Sequence, residues 1–389
     1  MSFDLDAVEA TFATSTDATV GIEEEFAVLD PDTLDMVGRY EELRDAAQAD
    51  PVLARSVAGE LISSEIEITS GRGETLADAL AQQGEARRAL FALCAREGVA
   101  LGATGTHPWA DYRAQRNIDT EHYHRVVDEL QYVARRNNTF SVHVHVGVRT
   151  IERATAVCDR LRLVLPDLLA LSANSPYLDG EDSGLHSART QSFTKSFPRC
   201  GIPDAYGSWS AYRDYLAMLV RTSSIVEYTQ VWWSVRPHIA FGTVEVRIAD
   251  VQGTAGESDA LSSLIVACVL QALREEDEGR PRVEVPRRLL EENLWRALRY
   301  GQDGDLLDLD RADDLATIVE RPAAATVERL LARTADVRAE HAIGEPTFPT
   351  LNGAQRQRRA IAAGAPMTEV YAQSVQETRD TYAHQEAPA

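Results

Sequence analysis

Four short stretches place two coordinating residues two positions apart: Glu23 and Glu25 in VGIEEEFAVLD, Glu65 and Glu67 in SSEIEITSG, His143 and His145 in FSVHVHVGV, and Glu245 and Arg247 in GTVEVRIAD. A strand sends residues i and i+2 to the same face. Each pair therefore points one way, and the apolar neighbours Ile22, Ile66, Val144 and Val246 point the other. One such pair is an ordinary solvated strand face. Four of them, built from Glu, His and Arg, predict a sheet whose concave face receives cations and phosphates.

Each doublet has its own chemistry. Glu23 and Glu25 interrupt an apolar run of Val20, Ile22, Phe26, Val28 and Leu29, which predicts a central strand. Carboxylates buried there need a partner, and hard divalent cations such as Mg²⁺ or Mn²⁺ prefer carboxylate oxygens. Glu24 points to the opposite face, so it is not expected to be a ligand, and Glu24→Gln is expected to be nearly silent. Glu60, Glu65 and Glu67 form a second acidic cluster, with a solvated strand face as the competing reading. His143 and His145 fit a zinc site or a cupin-like metal centre, but neither explains the accompanying Glu doublets. Glu245 and Arg247 pair a carboxylate with a guanidinium suited to gripping phosphate, and a plain cross-strand ion pair explains them equally well. No Gly-Lys-Ser/Thr loop occurs: the chain's one lysine, Lys195, follows Thr194. A bound nucleotide would have to be held by metals and arginines.

The elements that must carry these residues follow from punctuation and periodicity. Extended stretches are expected at 19–30, 61–69, 99–108, 139–148, 225–234 and 238–250. Helices are expected within 1–18, 39–55, 74–97, 120–137, 151–172 (kinked before Pro166) and 208–222, and over nearly all of the chain from 254 on. Residues 173–207 read as a long irregular loop, which in a compact domain points to function. The fold class is α+β, with a mostly antiparallel sheet flanked by helices and a helical C-terminal third. One domain is expected over 1–389, with 18–250 as the sheet-bearing part and 251–389 as the helical part packed on it.

Composition excludes several classes. The 389 residues carry a net charge of −22, which argues against binding nucleic acid through a broad basic surface. No run of 18 apolar residues exists, so no membrane span is expected. The N-terminal MSFDLDAVEATFATS lacks the basic and apolar regions of a signal peptide. Cys94, Cys158, Cys200 and Cys268 show no metal-binding spacing and are expected to be buried free thiols. A cytoplasmic protein is the expectation, with a homodimer as the expected assembly.

Taken together and in order, GIEEEFAVLD (21–30), ELISSEIEITSG (60–71), HVHVGV (143–148), ANSPYLDGEDSGLHSARTQSF (173–193), FPRCGIPDAYGSW (197–209) and WWSVRPHIAFGTVEVRIAD (232–250) resemble the glutamate–cysteine ligase type 2 family, carboxylate–amine ligases of the glutamine synthetase-like superfamily. The resemblance runs from about residue 18 to about 370. It implies a curved antiparallel sheet with ATP at one end, an amino acid at the other and two or three Mg²⁺ ions between them, replaceable by Mn²⁺. The substrates it implies are L-glutamate, ATP and L-cysteine or another amine. By the same resemblance Glu23, Glu25, Glu60, Glu67, His143 and Glu245 match metal ligands. Arg247 matches the arginine at the transferring phosphate, and His145 faces the phosphates or substrate. Arg189 matches a substrate-carboxylate or phosphate contact, and Arg236 a second phosphate contact. A different acceptor amine, or a non-catalytic metal-binding protein on the same fold, are the other readings. A phosphagen-kinase-like activity would call mainly on arginines, and the carboxylate-bearing strands argue against it.

Overall fold

The computed structural model describes residues 5–309 and 315–385. Residues 1–4 of the expected N-terminal stretch lie outside them. Seven strands make the main sheet: β1 Val20–Leu29, β2 Val57–Ala58, β3 Glu65–Thr69, β4 Ala100–Gly102, β5 Ser141–Gly147, β6 Val235–His238 and β7 Thr243–Asp250. Their order is β6-β7-β5-β1-β3-β2, every pair is antiparallel, and β4 joins the far end of β1. β1 thus lies inside the sheet, as its apolar run predicts.

Helices cover the face to which Ile22, Val144, Val244 and Val246 point. They are α1 Leu76–Arg96, α2 Ile151–Leu161, α3 Leu165–Ser172, α4 Ala255–Asp277 and α5 Met367–Tyr382. Ile22, Val144, Val146 and Val246 join one apolar cluster with Val157 of α2, Leu168 of α3 and Leu261 and Ile265 of α4. Further along the same face, Phe26, Ile66 and Ile68 cluster with Leu90 and Phe91 of α1 and Tyr382 of α5. The Phe26 and Tyr382 rings meet edge to face at 5.3 Å. Each fully buried Phe, Ile or Leu contributes roughly 1.5–3 kcal/mol. Two long helices start on threonine caps: Thr75 forms a capping box with Asp78, and the Thr254 side chain accepts from the Glu257 N–H. By length and composition α4 is the one described helix able to cross a membrane, and its apolar window is 89% buried within the protein.

Some expected elements differ. The extended stretch at 99–108 shrinks to β4, and the stretch at 225–234 to a 3₁₀ turn and the two-residue strand Trp232–Trp233. The helix expected over 120–137 splits into Glu121–Leu130 and Tyr132–Arg135, because Gln131 adopts φ 51°. The 151–172 helix divides into α2 and α3 with Pro166 in the first turn of α3, where a missing N–H costs nothing. The helical C-terminal third contains a short hairpin, Asp305–Leu307 with Glu320–Pro322, whose strands are too short to show alternation. Within 173–207 lie one small ladder, Tyr177–Leu178 with Glu181–Asp182, a strand Cys200–Gly201 that pairs with Trp232–Trp233, and a π-helical turn over Thr190–Thr194, a local form frequent at functional sites. All four cysteines are buried and free.

Glu24 requires a correction. It faces the helices, as alternation predicts, but it is fully buried and held bidentately by Arg87, with Nη2–Oε1 at 2.6 Å and Nε–Oε2 at 2.8 Å. Gln83 donates to it at 2.8 Å, and Ser258 donates as well. Its substitution is therefore not silent.

Candidate functional site

Strand register collects the four doublets. Glu23 stands opposite His143, Glu25 opposite Glu67, and His145 opposite Glu245, which in turn stands opposite Arg236. Directly opposed residues share a face, so residues far apart in sequence form one polar wall behind which the apolar core lies. His143 Nδ1 is 2.9 Å from Glu23 Oε2, and its Nε2 is 3.7 Å from Glu25 Oε1. The Ser141 N–H and hydroxyl both donate to Glu25 Oε2 at 2.6 Å. Ser141 was missed by the sequence reading, although it precedes His143 by two residues and alternation alone places it on this face.

A β-bulge sets Arg247. β7 pairs with β5 in register up to Val246 opposite Val144, then resumes with Ala249 opposite Val142. The extra residue bends the strand. On the opposite edge the Arg247 N–H continues the β6 register to the Ser234 carbonyl at 2.9 Å, and the guanidinium reaches Glu245 and, at 3.4 Å, His143 Nδ1. Arg236 is occupied differently. It donates to Glu245 Oε2 at 2.6 Å and to the Val231 carbonyl, so it clamps Glu245 more than it presents itself to a ligand. Arg189, just before the π-turn, donates to the carbonyls of Ile248 and Arg247 at 3.2 Å, leaving its buried Nε without a partner.

Glu23, Glu25, Glu67, Ser141, Glu245 and the three arginines line a cleft of about 320 Å³ with Glu60 and Glu65, and Tyr123, Phe193, Phe197 and Trp232 form further walls. Burial disfavours charge on Glu23, but the His145 and His143 imidazoles hold its carboxyl well below the usual range. Burial likewise opposes charge on Glu245, and Arg236 and Arg247 outweigh it. The acidic end behaves oppositely. Burial and then the Glu25 charge push Glu60 up to about 8; burial with neighbouring carboxylates drives Glu65 and Glu67 well above their ordinary range. Burial and Arg247 lower His143, keeping the neutral imidazole that ligation requires.

The donor set fits divalent cations. Two groups of three ligand atoms, each within 4.8 Å of one another, are Glu23, His143 and Glu245, and Glu25, Glu67 and His143. Carboxylates crowded to the point of mutual repulsion are stabilised by an oxygen-preferring cation such as Mg²⁺ or Mn²⁺. His145 is in neither group. Its Nδ1 meets the Thr243 hydroxyl at 3.0 Å, and its Nε2, 3.2 Å from Glu23, lacks hydrogen-bond alignment. The two histidines therefore do not form the paired zinc ligands that the HxH spacing allowed. Glu60 lines the cleft beside Glu67 but also lies outside both groups.

A family model described as glutamate-cysteine ligase family 2 matches residues 19–377. The chain is 35% identical over 373 residues to a Rubrobacter xylanophilus protein named "Putative glutamate--cysteine ligase 2-2", covering 92% of this chain and 96% of that protein. It is 34% identical over 367 residues to a Solibacter usitatus protein named "Putative glutamate--cysteine ligase 2", covering 92% and 93%. Among solved structures, a glutamate–cysteine ligase from Francisella tularensis in complex with AMP superposes with a TM-score of 0.70 at 12% identity, covering 100% of this chain and 91% of that one. That likeness gives the fold.

Proposed function

The chain belongs to the glutamate–cysteine ligase family 2, whose members form carbon–nitrogen bonds, and from that premise we propose an ATP- and Mg²⁺-dependent ligase that joins the side-chain carboxylate of L-glutamate to the amine of L-cysteine. The glutamate γ-carboxylate attacks the γ-phosphorus of ATP, and ADP leaves. The amine then attacks the acyl carbon of the γ-glutamyl phosphate, phosphate leaves, and the amine gives up its proton. No nucleophilic side chain is needed, which agrees with a wall made of carboxylates, imidazoles and guanidiniums.

The observation that carries this reading is the convergence of Glu23, His143 and Glu245, and of Glu25, Glu67 and His143, beside the Arg247 guanidinium. Those carboxylates and His143 would hold Mg²⁺, with Glu60 as a further acidic ligand. When bound, the cations neutralise phosphate oxygens. Arg247 stabilises charge on the transferring phosphoryl group, while Arg189 holds a substrate carboxylate. Arg236 fixes Glu245 and hence Arg247; His145 sits at the phosphate side, against Glu23. We take 18–250 and 251–389 as two parts of one ligase domain, supported by the packing of α4 on β5 and α2.

Two measurements test the reading. ADP release should require L-glutamate together with an amine, and the product mass from a panel that includes cysteine should identify the acceptor. A product containing another amine revises the acceptor; ATP hydrolysis indifferent to glutamate removes the ligase reading. Chelation with EDTA should abolish turnover, and added Mg²⁺ or Mn²⁺ should restore it. Full activity in excess chelator would be incompatible with the proposed ligand set.

A further inference from the structure

Besides Glu60, the cleft holds a buried carboxylate that neither cation group uses. Glu65 follows the bend after Glu60, opens β3, and lies opposite Ala27 at the end of the wall away from His145. It is 1% exposed and lines the cleft, and its Oε2 has no hydrogen-bond partner. Among the described residues it belongs to no three-ligand group and has no ion pair. A second incompletely satisfied group lines the same cleft: Arg189, 2% exposed, whose Nη1 lies 3.8 Å from Asp250 Oδ1 but whose Nε is unpartnered. A carboxyl and a guanidinium in one buried wall, each with an unpartnered atom and not paired with each other, thus border the same cleft.

Buried polar atoms without partners are costly, and such pairs in a cleft are accounted for by a ligand that satisfies both. We propose that Glu65 and Arg189 together clamp the zwitterionic end of the donor amino acid, Glu65 taking the α-ammonium and Arg189 the α-carboxylate. This rests on the ligase reading above and deepens it. The donor's α-ammonium stays protonated throughout, so a carboxylate partner suits it. The acceptor's amine must lose a proton to react, so a carboxylate that favours its ammonium form would hinder it. The position also fits, because Arg189 donates to the carbonyl of Arg247 and so ties the clamp to the residue at the transferring phosphate. Glu65 thereby becomes a specificity-determining residue that rejects dicarboxylates lacking an α-amino group.

The test compares wild type, Glu65→Gln and Glu65→Asp for ADP release with L-glutamate and with glutarate, alongside calorimetric binding of both compounds. Glu65→Gln is expected to raise the KM for L-glutamate roughly 10- to 100-fold, with little change in the KM for ATP or in the Mg²⁺ concentration needed for half-activation. Wild type should prefer L-glutamate to glutarate, Glu65→Gln should lose that preference, and Glu65→Asp should recover part of it. An unchanged preference in Glu65→Gln, or a shift mainly in the Mg²⁺ requirement, overturns the clamp and makes Glu65 a cation ligand. If wild type turns over no ATP with any amine, the ligase reading fails separately, and calorimetry still decides the clamp by whether discrimination against glutarate disappears in Glu65→Gln. Thermal melts of each variant distinguish lost binding from lost folding.

Discussion

Glu25→Gln is expected to lower glutamate-dependent ADP release by roughly a thousandfold or more while leaving the fold in place. The amide is nearly isosteric with the carboxylate. Its oxygen can still accept from the Ser141 N–H and hydroxyl, which hold Glu25 Oε2 at 2.6 Å. What disappears is one negative charge and one ligand oxygen facing Glu67 and His143. The measurement is turnover across a Mg²⁺ titration, with a thermal melt beside it. Retention of turnover within about tenfold of wild type would remove Glu25 from the cation site. Glu245→Gln is a poorer probe, although it too should be inactive. Glu245 is 1% exposed between Arg236 and Arg247, and neutralising it leaves two guanidiniums without their shared counter-charge. A dead Glu245 variant would report on folding and on chemistry together.

The wall was legible in the sequence because strand alternation is strict. Once Ile22, Val144 and Val246 are assigned to the core, Glu23, His143 and Glu245 must face away from it. Register was not legible, since which strands are neighbours depends on long-range pairing. Glu23 meets His143 only because β1 lies between β5 and β3. The bulge after Val246 was hidden as well. Alternation alone puts Arg247 on the correct face, but the two-against-one pairing that leads it to His143 depends on both strands. Arg236 shows the same limit: its charge suggested a ligand contact, and only the geometry reveals it bound to Glu245 and to loop carbonyls. The short strands at 305–307 and 320–322 escaped because three residues cannot establish a period.

Glu24 shows most plainly what one-dimensional reading leaves out. Its face follows from alternation, but its partner Arg87 lies 63 positions later on α1, and Ser258 lies on α4. Residue spacing cannot disclose such a contact. Glu24→Gln is therefore expected to destabilise the protein by about 3 kcal/mol, because it leaves Arg87 buried beside a neutral amide. The estimate sits at the low end of the usual range because Asp259 remains 2.6 Å from Arg87 Nη1. The effect on turnover per folded molecule should be small, since Glu24 is behind the wall and touches no site residue. Urea unfolding measures the loss, and a double-mutant cycle with Arg87→Met isolates the pair: the double variant should be more stable than the sum of the two single losses predicts.

The pH dependence has a definite sign. Burial opposes charge on Glu24, but Arg87 holds its carboxyl below the ordinary range when folded. A group with a lowered folded value stabilises above its unfolded value and loses that contribution as pH falls through the folded one. The gap between wild type and Glu24→Gln should accordingly be widest near neutrality and narrow in acid. A gap that grew on acidification would mean that the Glu24–Arg87 pair is not the source of the stability lost in the variant.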